Sequence, residues 1–147
     1  MTRKENEQFI FGCLFLLANK IQSAGDQVIP GITLKQWFLL MMITKMEKDS
    51  PSLTEIAEFI GSTRQNVKKM VDILERQQFV ITKRLEEDKR NVGVSVTEKV
   101  HILFRQYETA GDGFLDVLFT NVPEADLVCV RQTFMTILEN LSTQKQV

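Results

Sequence analysis

Histidine occurs once among the 147 residues, as His101, and cysteine twice, as Cys13 and Cys129. A zinc centre draws most of its ligands from these two residue types, so a structural or catalytic zinc site is disfavoured and no metal is expected. Two cysteines, each inside an apolar run, do not form a disulfide framework, and the reducing cytoplasm is the expected compartment. Neither sign of charge is in excess: 18 basic against 19 acidic residues give a formal net charge of −1. The chain as a whole therefore carries no bulk polycationic signature. There is no glycine-rich phosphate loop, and no cysteine–histidine or serine–histidine pair in an evident site. An enzyme is not expected, nor is a cofactor.

No apolar run approaches the ~20 residues needed to cross a bilayer, so no membrane partner is expected. The longest run, FIFGCLFLLA (Phe9–Ala18), imitates a signal peptide. Glu5 and Glu7 interrupt its basic leader, and Leu16 and Ala18 make a poor cleavage site. It reads instead as an unusually apolar helix whose surface must be covered. Repeats, low-complexity tracts and linkers are likewise missing, and the length suits one compact domain, or one domain with extensions that need a partner.

Residues 6–24 read as that helix, apolar on most faces through Phe9, Ile10, Cys13, Leu14, Leu16, Leu17 and Ile21. Such a helix is expected to be buried on several sides. Pro30-Gly31 breaks the pattern, and Thr33 with Gln36 forms a capping box. A second helix, 34–47, carries Leu34, Trp37, Phe38, Met41 and Met42. Ser52 and Glu55 form another capping box, opening a short helix over 53–60 that turns Ile56, Ala57 and Ile60 inward and stops at Gly61. Thr63 caps a fourth helix, 64–77, whose Val67, Met70, Val71 and Leu74 recur at helical spacing.

A short helix, a glycine turn and a longer helix with a polar outer face is helix-turn-helix order. The first turns of the second helix of such a pair can enter the DNA major groove. There glutamine and asparagine pair with adenine, and arginine or lysine with guanine. Thr63, Arg64, Gln65, Asn66, Lys68 and Lys69 have the chemistry and the position. The plainer reading is a helical hairpin with a solvated face.

Val80–Arg84 and Val92–Val96 read as two strands, with LEEDKRN between them. A hairpin after a recognition helix is a wing, and Lys89 and Arg90 at its tip would reach a narrow, negative minor groove, with Asp88 orienting Arg90. The alternative is a solubilising tip. Residues 61–99 hold nine bases and six acids, a local +3 against −4 elsewhere. Thr97 is expected to cap a fifth helix containing His101, Leu103, Phe104, Tyr107, Phe114, Leu115 and Leu118, with a kink near Gly111 and Gly113. Pro123 suits the first turn of a last helix, 123–142, carrying Leu127, Val130, Phe134, Ile137, Leu138 and Leu141.

Three stretches resemble the MarR (multiple-antibiotic-resistance regulator) family of winged-helix transcription factors. LTEIAEFIGSTRQNVKKMVDILERQQFV (Leu53–Val80) is similar to its helix-turn-helix, including the Leu74-Glu75 step. DKRNVGVSVTEK (Asp88–Lys99) resembles its wing signature, and ITLKQWFLLMMI (Ile32–Ile43) its second helix. Val100 stands where the family usually has glycine.

The resemblance implies a mainly α fold with a small β wing. A winged helix-turn-helix lobe at 31–97 would be joined in one continuous unit to helical dimerisation arms at 1–30 and 98–147. It further implies a cytoplasmic homodimer bound to a pseudo-palindromic double-stranded DNA operator. Family members mostly repress, and many release DNA when a small, often phenolic or anionic, effector binds. Phe15, Asn19, Trp37, Met41 and His101 would then line the cleft, against the alternative that each is core packing. Some members sense oxidants with a first-helix cysteine. Cys13 sits among large apolar residues, which raise a thiol pKa, and the sole tyrosine is distant Tyr107. A packed cysteine is the expected reading, with a redox regulator or a winged-helix protein-interaction module as alternatives.

Overall fold

Three of the helices begin with the same local device. The hydroxyls of Thr2, Thr33 and Ser52 each accept the backbone N–H three residues on, and Glu5, Gln36 and Glu55 reach back to the cap's own N–H. A cap of this kind is worth about 1 kcal/mol. In the computed structural model, described over residues 1–86 and 91–144, these caps open α1 (Arg3–Gly25), α2 (Leu34–Lys45) and α3 (Leu53–Ile60). They are followed by α4 (Arg64–Arg76), β1 (Val80–Arg84), β2 (Val92–Val96), α5 (Glu98–Leu118) and α6 (Glu124–Gln144). The chain divides into two units, Met1–Gly111 and Asp112–Val147, so α5 begins in the first and ends in the second.

The first unit holds the core. Leu39, Leu40 and Ile43 of α2 meet Leu53, Ile56 and Ala57 of α3 and Val67, Val71 and Leu74 of α4. Val80 and Val94 close it from the sheet, and Val100 and Leu103 from α5. Val100, at the position expected to be glycine, is fully buried, so its side chain fills space in the core. α2 turns only part of its apolar surface inward. Trp37, Met41 and Met42 are half-buried and Phe38 is exposed, while Leu39, Leu40 and Ile43 point inward. The segment LKQWFLLMMITK is apolar on nearly every face, so its periodicity does not select one. Gln36 is buried because its amide oxygen accepts the Thr33 N–H at 2.9 Å.

α3 ends at Gly61, whose φ of 69° is a conformation glycine adopts without a Cβ clash. Thr63 then caps α4, accepting the Asn66 N–H at 3.2 Å. α4 closes on a Schellman motif: Gln78 N–H donates to the Glu75 carbonyl and Phe79 N–H to the Leu74 carbonyl, both at 2.9 Å. The left-handed position of that motif is held by Gln78, at φ 63°. A residue with a Cβ pays about 1–2 kcal/mol there.

The start of α5 holds this turn. The Thr97 hydroxyl donates to the carbonyls of Gln78 (2.8 Å) and Phe79 (3.2 Å). The N–H that a capping threonine's hydroxyl would accept, that of Val100, bonds instead to the Thr97 carbonyl, at 3.0 Å. Lys99 Nζ donates to the Gln77 carbonyl at 2.7 Å and lies 4.5 Å from the Phe79 ring centroid. A cation over the last carbonyls of α4 complements the negative end of the helix.

β1 and β2 pair antiparallel from Val80↔Val96 to Arg84↔Val92. The outer edge of β2 is paired too: Ser52 bridges Gly93, and Val94 N–H donates to the Pro51 carbonyl at 2.9 Å. A Cβ on Gly93 would lie 2.4 Å from Ser50 Oγ and 3.1 Å from the Ser50 carbonyl oxygen, so only glycine fits there undisturbed.

α1 is not buried on several sides as expected. Phe9, Phe11 and Phe15 are 64%, 65% and 64% exposed, and Leu16 and Leu17 are exposed beside them. In the second unit α6 exposes Val130, Phe134, Leu138 and Leu141, with Ile137 partly covered. α5 stays helical through Gly111 and Gly113. Pro123 precedes α6, and its carbonyl accepts from Leu127 N–H at 3.1 Å. Among the described residues no helix is long and apolar enough to cross a membrane.

Candidate nucleic-acid interface

The apolar stripe of α4 fixes what its other side can do. Val67, Val71 and Leu74 are almost fully buried, so the opposite face must look outward. Thr63, Arg64, Gln65, Asn66, Lys68 and Lys69 are all exposed, and the structure gathers them at the first turns of α4. The amides and cations there can donate and accept at base edges and phosphates. Within this set one lysine is held: Lys68 Nζ lies 2.9 and 2.8 Å from the two carboxylate oxygens of Asp72. Arg64 and Lys69 have no side-chain partner among the described residues.

The basic residues of the segment 61–99 divide accordingly. Lys99 turns inward onto Gln77 and Phe79. Arg76, Lys83 and Arg84 are exposed and unpaired among the described residues, the last two at the far end of β1. Sequence reasoning counted Lys83 and Arg84 as bases without placing them at the site; their position in the wing strand, next to the charged tip, was the available signal. The expected wing-tip residues Asp88, Lys89 and Arg90 lie outside the described residues.

The approach of α3 is fixed by a local ion pair. Lys48 Nζ lies 2.6 Å from Glu55 Oε1, and the Ser52 N–H donates to Glu55 Oε2 at 2.7 Å. The Lys48 ammonium, followed by the Ser52 backbone and hydroxyl, lowers the Glu55 pKa to about 2.

The expected ligand residues are spread over three helices of the first unit. Trp37 packs edge to face on Phe104, with ring centroids 6.1 Å apart, and Met41 is half-buried one turn on. Phe15, Asn19 and His101 are exposed. An open depression of about 300 Å³ lies elsewhere, lined by Glu75, Gln78, Val80, Ile81 and Thr97. Cys13 is half-buried and Cys129 exposed, both as free thiols. Among the described residues no cluster of three or more histidine, cysteine or acidic side chains could hold a metal ion.

Three helices, a two-stranded wing and an outward polar helix face define a winged helix-turn-helix protein. Residues 32–92 match the sequence model of the MarR family. The fold likeness extends beyond that segment. A MarR transcriptional regulator from Methanosarcina mazei Go1 superposes with a TM-score of 0.81 at 19% identity, covering 92% of this chain and 98% of that one. The Staphylococcus aureus protein MepR, solved as a DNA complex, gives 0.77 at 19% identity over 89% and 97% of the two chains. Bordetella bronchiseptica BpsR, whose DNA binding is regulated by 6-hydroxynicotinic acid, gives 0.74 at 15% identity over 87% and 91%. No curated protein sequence matches the chain.

Proposed function

We propose that the protein is a sequence-specific, double-stranded-DNA-binding transcriptional regulator, acting as a homodimeric repressor at a pseudo-palindromic operator. The observation that carries this reading is the outward face of α4. Six polar or basic residues at its first turns stay exposed while the opposite stripe anchors the helix in the core. Arg64 and Lys69 contact phosphates or guanine, Gln65 and Asn66 read base edges, and Thr63 caps the helix where it meets the DNA. Lys83 and Arg84, with Lys89 and Arg90 beyond them, contact the flanking minor groove. The DNA complex of MepR, a protein of the same fold, supports this assignment by likeness.

The dimer reading rests on α1. Phe11 and Phe15, one turn apart with ring centroids at 5.2 Å and both about two-thirds exposed, form a surface that a second copy would cover, and Phe9 is equally exposed on another side of the helix. Release by a small phenolic or anionic effector is the regulatory part of the reading, and BpsR supports it by likeness. Phe15, Asn19, Trp37, Met41 and His101 are the residues expected to line the effector site, Trp37 and Met41 being its half-buried members.

Titration of duplex DNA at several salt concentrations tests the reading. A DNA-binding protein loses affinity linearly with the logarithm of salt, because phosphate contacts release counterions. Lys69→Ala is expected to weaken binding to all sequences alike and make the slope shallower by about 1 per protomer. Gln65→Ala is expected to change sequence preference instead. Affinity independent of salt would refute the assignment.

A further inference from the structure

The hairpin of β1 and β2 has two outer edges. That of β2 is occupied by backbone, through the Ser52↔Gly93 bridge and the bond from Val94 N–H to the Pro51 carbonyl. That of β1 is met, among the described residues, by the side chain of Glu75. Glu75 Oε1, in the last turn of α4, accepts both the Thr82 N–H at 2.9 Å and the Thr82 hydroxyl at 2.6 Å. Beyond Thr82 lie Lys83 and Arg84, exposed and unpaired among the described residues.

We infer that Glu75 is a positioning residue for DNA recognition, which sets the angle between the wing and the recognition helix without touching DNA. The inference rests on the DNA-binding reading and deepens it. A charged acceptor receiving two hydrogen bonds holds its partner strand more firmly than a neutral one. Both donors come from one residue of β1, so the link fixes the strand's path at one point. That point lies between the core-anchored start of β1, where Val80 is buried, and its basic end. The recognition helix and the wing cations are thereby presented as one rigid element, in register with a major groove and the minor groove beside it. Without the link, what holds the basic end of β1 among the described residues is its pairing with β2 and the bond from Leu85 N–H to the Asn91 carbonyl beyond it.

The test uses the full-length protein on the duplex it selects from a random pool, with hydroxyl-radical footprinting and a salt titration. Glu75→Ala is expected to keep the major-groove protection and lose the flanking minor-groove protection. Its affinity should fall by about tenfold and its salt slope become shallower by about 1 for each wing cation released. Glu75→Gln keeps an oxygen that can accept both bonds, though without the charge, and should retain the minor-groove protection with an affinity between those of Glu75→Ala and the wild type. A wild-type footprint and slope for Glu75→Ala would overturn the inference while leaving DNA binding intact. So would equal loss of protection in both grooves with a lowered melting midpoint, because that is a fold defect. If the wild-type protein selects no duplex, the DNA-binding reading fails and this inference with it.

Discussion

α1 and α4 are both helices of the first unit, and they place their apolar residues in opposite ways. α4 has a narrow stripe, Val67, Val71 and Leu74, and all of it is buried. α1 is apolar round most of its circumference, and Phe9, Phe11, Phe15, Leu16 and Leu17 remain exposed. A helix of the first kind is complete within its own chain, and its outward face is free for a polar partner. A helix of the second kind leaves its apolar surface to be covered from outside. The two helices thus carry the two partners proposed above, DNA for α4 and a second copy for α1.

The sharpest way to break that contrast is Phe15→Asp. A charge in a twofold interface occurs twice, and each buried phenyl ring contributes about 1.5–3 kcal/mol. The variant is expected to sediment as a monomer at concentrations where the wild type is dimeric, with unchanged helicity. Next in size is Leu74→Ala, which removes a fully buried side chain on α4. It should cost about 2–5 kcal/mol in urea unfolding. Leu138→Ala on exposed α6 should cost under about 0.5 kcal/mol when measured on the monomeric Phe15→Asp background.

Smaller effects sharpen the account of how α4 is held. Gln78→Gly relieves the left-handed backbone at the end of α4 and should stabilise the fold by about 0.5–1 kcal/mol, read as a rise in melting midpoint. The smallest effect concerns pH. Glu55 is held near pKa 2 in the fold, below the ordinary ~4.3 of an unfolded glutamate. Its charged form therefore stabilises the fold above about pH 4, and this is lost as pH falls from there toward 2. Glu55→Gln should lower the melting midpoint at pH 7, and the gap to wild type should close over that interval. The group is substantially exposed, so solvent screening keeps the gap small.

These residues also mark how far the sequence could be read. The bounds of α3, β1 and β2 were legible because each carries unambiguous local chemistry: a capping box and Gly61 for α3, alternating or β-branched residues for the strands. The outward set on α4 was legible for the same reason, since its stripe is narrow. α2 and α1 were not, because helices that are apolar nearly all round have no periodicity to choose a face. Thr97 preceded a helix in the manner of a cap, yet the carbonyls left open by the Schellman turn took its hydroxyl. The Glu75–Thr82 link joins residues seven apart across a turn, and no sequence pattern announces it. Gly93, between Val92 and Val94 in a strand, was the one visible hint of a close backbone approach.

The most direct measurement is a footprint of the purified protein on the duplex it selects from a random pool, with the stoichiometry of the complex determined by sedimentation. The account predicts two protomers on one site, protecting two major-groove segments about 34 Å apart, roughly one turn of DNA. A complex with one protomer and a single protected segment would contradict the partner assigned to α1. No selection of any sequence over random duplex would contradict the partner assigned to α4.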